Sequence, residues 1–88
     1  MTRVFDEIWN RIISCAGESF YTKTGIKFKY YLNNDKSIIT DRTNYKLYKN
    51  DFEKAFKLMP IDNPGKINNI VRGPAYIWAI LNDKRISM

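Results

Sequence analysis

Histidine is absent from this 88-residue chain, and cysteine occurs once. Without an imidazole there is no His-based general acid or base, no His metal ligand and no Ser-His or Cys-His nucleophile pair. The single thiol, Cys15, allows no intramolecular disulfide and, with no His beside it, no zinc site. A lone cysteine fits a reducing interior, so a cytoplasmic protein is expected. Long apolar runs are also missing. No stretch reaches the ~20 residues that a membrane-spanning helix needs, and Arg3, Asp6, Glu7 and Arg11 interrupt the opening residues, so neither a signal peptide nor a membrane partner is expected. A glycine-rich phosphate loop is lacking too, since Gly65-Lys66 stands without the rest of that motif. No small-molecule cofactor, no metal and no enzyme activity are therefore expected. The nearest catalytic constellation, Asp41, Asp51 or Glu53 with Lys54, has simpler roles in helix starts and turns.

Acidic residues are the scarcer charge: nine Asp and Glu against fifteen Lys and Arg, a formal net charge of +6. The imbalance is local. Residues 21–49 hold Lys23, Lys27, Lys29, Lys36, Arg42, Lys46 and Lys49 against only Asp35 and Asp41, whereas the rest of the chain is nearly balanced. Lysine outnumbers arginine ten to five, a bias that A/T-rich coding produces by itself. Coding bias explains the clustering less well, and such clustering is an electrostatic footprint for a polyanionic or acidic partner.

What is present is a 44% hydrophobic, aromatic-rich chain of a size for one small globular domain, residues 1–88. In residues 2–16 the apolar positions Phe5, Ile8, Trp9, Ile12, Ile13 and Ala16 follow helical spacing, with Thr2 as cap and Gly17 as left-handed stop. Residues 18–25 read as a connection. Residues 26–32 alternate with period two, sending Ile26, Phe28, Tyr30 and Leu32 inward and Lys27, Lys29 and Tyr31 outward. Asn33-Asn34-Asp35-Lys36 forms a turn, because Asn and Asp tolerate positive φ and bond to nearby backbone. A return strand over 37–42 has an ambiguous register that leaves Arg42 uncommitted between faces. A short third strand over 45–48 puts Tyr45 and Leu47 inward, Lys46 and Tyr48 outward. Asn50 caps a helix in a box with Glu53, whose inward set is Phe52, Ala55, Phe56 and Met59, and Pro60 stops it. Asn63 caps a second helical piece, with Pro64 at its first position and Ile67, Ile70 and Val71 inward. Pro74 starts a last helix, to about Asn82, that is apolar on nearly every side.

The fold class is α+β: an N-terminal helix, an antiparallel β-hairpin or three-stranded sheet, then two or three short C-terminal helices packed on one sheet face. This order is similar to that of double-stranded-RNA-binding domains in topology only. Lys49-Asn50-Asp51-Phe52-Glu53 sets two acids where those domains carry a lysine cluster, and the family is not adopted. A helix-turn-helix at Arg72-Gly73 is disfavoured, because Ala75, Tyr76, Trp78 and Ala79 offer few groups to base edges.

Two binding surfaces emerge. The first is the outward face of the hairpin, where Lys27, Lys29, Tyr31, Lys36, Arg42, Lys46 and Tyr48 are candidate nucleic-acid contacts. Lysines suit phosphate as mobile point charges, so DNA or RNA binding of weak sequence specificity is expected. The alternative is a protein partner, with the protein acting as an adaptor, subunit or inhibitor and docking through Tyr76 and Trp78 of the last helix. A solvated face whose lysines only discourage edge pairing would show the same pattern.

Overall fold

The computed structural model describes residues 2–87, with side chains from residue 5 onward. Helix α1, Thr2–Ser14, follows from the apolar series: Phe5, Ile8, Trp9 and Ile12 are buried, and Ile13 and Ala16 pack against the core edge. Gly17 reverses the chain beyond it with a φ of 90°. Thr2 falls at the first position of the helix, and its side chain, with the expected cap, lies outside the described residues.

Four strands follow in an antiparallel meander of order β1-β2-β3-β4: β1 Ser19–Tyr21, β2 Lys27–Asn34, β3 Ser37–Thr40 and β4 Lys46–Tyr48. The sheet has one strand more than the sequence suggests, because β1 lies inside the expected connection. Three residues are too few for alternation to stand out, and β1 is held by partners distant in sequence. Its ladder pairs Ser19, Phe20 and Tyr21 with Lys29, Phe28 and Lys27, and Arg85 donates to the Ser19 carbonyl oxygen at 2.7 Å. The pairing is staggered, with β1 on the first half of β2 and β3 on its second half.

The register places Phe20, Phe28, Tyr30, Ile38, Thr40 and Leu47 on one face, and all six are buried. It also settles the return strand: Ile38 faces inward and Ile39 outward. Ile26 and Leu32, expected inward, are both more than two-fifths exposed. Ile26 precedes β2 in a turn, where its amide donates to Thr22 Oγ1. Leu32 borders a bulge between Leu32 and Asn34, where the register shifts toward the tip.

Helix α2, Lys49–Leu58, has Tyr48 rather than Asn50 at its N-cap, and no side chain caps it, so the Asn50/Glu53 box does not form. The preceding strand runs directly into the helix, which leaves Asn50 two residues past the cap position. Phe52 and Ala55 are fully buried, Phe56 and Met59 partly. The helical piece expected after Asn63 is only a short 3-10 segment, Pro64–Ile67, and Asn63 again makes no side-chain cap bond. Ile67 and Val71 face the core, whereas Ile70 is exposed, because the turn is not continued as an α-helix that would carry it inward. Helix α3, Pro74–Asn82, begins after Gly73, and α4, Lys84–Ser87, adds a last turn whose Ile86 is buried.

Helices therefore cover one sheet face, and the core lies between them. Trp9 meets Phe52 at a ring separation of 5.5 Å, and Phe28 meets Tyr76 edge-on at 5.1 Å. Among the described residues no helix is long and apolar enough to cross a membrane.

Candidate functional site

The other sheet face carries no helix, and β-strand alternation determines what it displays. Cross-strand pairing aligns Tyr21 with Lys27, Ser19 with Lys29, Tyr31 with Ile39 and Lys46, and Ser37 with Tyr48. The exposed rings on this face are Tyr21 at 58%, Tyr31 at 49% and Tyr48 at 50%. Sequence spacing does not single out Tyr21, because its strand is too short to show a period. Its Tyr-x-x-x-x-x-Lys separation from Lys27 carries no signal until the β1–β2 hairpin aligns the two residues. Gly17 stands beside Tyr31 at the edge: its amide donates to the Tyr30 carbonyl at 2.8 Å, and a Cβ there would lie 3.9 Å from Tyr31 Cε1. The ring thus covers backbone that has no side chain of its own.

Among the described residues the candidate cations have no acidic partner. None of Lys27, Lys29, Lys36, Arg42 or Lys46 makes an ion pair with a described carboxylate. Bases elsewhere are more often engaged. Lys49 pairs with Asp6, Lys54 with Asp51 and Lys66 with Asp62; Arg72 lies 4.2 Å over the Tyr45 ring. Asp41, the acid nearest the face in register, is bound to backbone instead. Its Oδ1 accepts from the Lys29 amide at 3.0 Å, while its own amide donates to the Lys29 carbonyl.

These cations are not all in one place. Lys27, Lys29 and Lys46 share the outer face. Arg42 lies on neither face of β3, because the strand ends at Thr40, whose Oγ1 accepts from the Arg42 amide at 3.1 Å. Register puts it at the Lys29 end of the sheet. Lys36 sits at the opposite end, on the hairpin tip. It borders a cleft of about 400 Å³ that also includes Asp6, Tyr48, Lys49 and Glu53, so its surroundings are of mixed charge and Tyr48 stands where the outer face meets this cleft.

The tip itself is built by side-chain hydrogen bonds rather than by left-handed backbone. No residue other than glycine has a positive φ among those described. Asn34 Oδ1 accepts from the Lys36 amide at 2.8 Å and from Ser37 Oγ at 3.1 Å. Trp9 Nε1 donates to the Asp35 carbonyl at 3.0 Å and ties the tip to α1.

The second expected surface is packed in part against the chain itself. Tyr76 is partly buried against Phe28, and Trp78 is partly buried, with Nε1 donating to the Ile61 carbonyl at 3.0 Å and Lys23 Nζ over its ring at 5.4 Å. Asp41, Asp51 and Glu53 do not converge, and among the described residues no three His, Cys, Asp or Glu side chains gather as metal donors. Cys15 is a free, half-buried thiol whose pKa burial pushes up.

Comparison of this chain with protein-family models, with curated proteins and with solved structures found no match.

Proposed function

We propose that the protein is a non-catalytic binding module that holds nucleic acid on the uncovered face of its sheet. The observation carrying this reading is the pairing pattern of the cations. Lys27, Lys29 and Lys46 stand without described carboxylate partners beside three exposed tyrosines, and the other sheet face is engaged with helices. Unpaired ammonium groups on a solvated face attract phosphate at long range, and phenol rings add contact to sugar or base. Lysine-based contact fixes no base identity, so affinity is general rather than sequence-selective.

The test is a salt titration of binding to labelled DNA and RNA. Neutralisation of about four phosphates by Lys27, Lys29, Arg42 and Lys46 gives a slope of log affinity on log salt of roughly −3 to −4. Lys27→Glu together with Lys29→Glu should weaken binding and flatten that slope, with the thermal melt unchanged. Absence of salt-dependent binding to either nucleic acid would refute the proposal.

A further inference from the structure

The three exposed tyrosines are spread across the sheet rather than along one strand. With strands about 4.8 Å apart and a rise of about 3.3 Å per residue, the register sets Tyr21 and Tyr31 roughly 14 Å apart and Tyr31 and Tyr48 roughly 12 Å apart. The stagger of β1 against β3 turns these positions into an arc across the sheet instead of a row along one strand. Lys27 and Lys29 flank its first leg, and Lys46 its second.

A duplex fits this surface poorly. Over the second half of β2 the sheet is three strands wide, with the axes of β2 and β4 about 10 Å apart before side chains are added, and a B-form major groove is only about 12 Å wide and admits a two-stranded ribbon. Base edges in a groove call for hydrogen-bonding forks, which lysine and tyrosine do not supply. The flat faces of tyrosine have nothing to stack on where bases are already stacked on one another. A second copy of this chain is no better an occupant, since it would bring the same uncompensated lysines against each other.

We propose that the outer face takes single-stranded nucleic acid, with unpaired bases stacking on Tyr21, Tyr31 and Tyr48 and the phosphates running past Lys27, Lys29 and Lys46. The inference rests on the nucleic-acid reading above. Stacking explains why rings, not short polar residues, occupy half-exposed positions between the lysines. It is indifferent to base identity, in keeping with the lysine contacts.

The experiment compares fluorescence anisotropy of the full chain with a labelled mixed-sequence single strand, as DNA and as RNA, and with the corresponding duplex, at about 50 and about 200 mM salt. Single strands should bind at least about ten-fold tighter than duplex. Tyr21→Leu and Tyr48→Leu keep apolar bulk but remove the ring, and each should weaken single-strand binding about five-fold or more. Tyr21→Phe and Tyr48→Phe should retain it, which separates loss of stacking from loss of fold; circular dichroism melts check the fold of each variant. Duplex binding as tight as single-strand binding, or Leu variants that bind like the parent, would overturn this inference and leave the nucleic-acid reading standing. No salt-dependent binding to any of the three probes would overturn both.

Discussion

Tyr30 shows how one side chain joins two layers. It lies on the core face of β2, fully buried, and its hydroxyl donates to the carbonyl oxygen of Ile12 near the end of α1. Burial pushes its pKa well above the ordinary 10.0. The unfolded chain gives up this proton near pH 10, whereas the folded chain keeps it, so the folded form holds more protons in alkali. Stability from this group is therefore complete below about pH 10 and declines as pH rises beyond it. Tyr30→Phe should cost about 1 kcal/mol at neutral pH through the lost hydrogen bond. The same variant should show a shallower alkaline limb in denaturant melts taken across that range.

Elements here are joined by corners that tolerate few residues, and the corner before α3 is the tightest. Gly73 has a φ of 66°, and a Cβ on it would come within 2.7 Å of Leu47 Cδ2. Leu47 is fully buried in β4 and cannot move aside without disturbing the core. Gly73→Ala combines left-handed strain of about 1–2 kcal/mol with this clash, so a loss of about 2 kcal/mol or more is expected in urea melts. The glycine's role as a breaker was legible from Arg72-Gly73-Pro74; its contact with β4 was not, because 26 residues separate it from Leu47. The same distinction runs through the other elements. Helix α1 and the inward positions Phe28 and Tyr30 could be read from spacing alone. Strand β1 and helix α4 could not, since each is too short to show a period and each is held by groups distant in sequence.

At the scale of the whole molecule, Arg85 closes the chain on itself. Its guanidinium reaches Glu18 Oε1 at 2.9 Å, the Ser19 carbonyl, and both carboxylate oxygens of Asp83, and it stacks 4.0 Å over the Phe20 ring. Arg11 adds a second tie by donating to the Ile86 carbonyl at 3.0 Å. The hydrogen bonds from Arg85 hold the Asp83 carboxyl below its ordinary 3.8, with burial opposing them. A carboxylate of lowered pKa binds its proton less readily folded than unfolded. Its stabilisation is present above about pH 4 and is lost as pH falls through the folded value. Asp83→Asn should therefore reduce the acid sensitivity of the urea midpoint between about pH 5 and pH 2. The carboxylate is partly solvated, so the change will be modest and should shrink in high salt.

The amino-acid sequence by itself determined the α+β order, the buried stripe of α1, the inward positions Phe28 and Tyr30 of β2 and the local excess of lysine. These follow from periodicity and composition, which act over a few neighbouring residues. Tertiary structure alone decided the fourth strand, the register that brings Tyr21 beside Lys27, the separation of Lys36 from the other cations, and the partial burial of Tyr76 and Trp78 against the core. Each depends on hydrogen bonds and packing between segments far apart in sequence, where local spacing carries no information. The outward face of β2 could be read from alternation, but its extent as a surface became visible only when β1 and β4 were laid beside it.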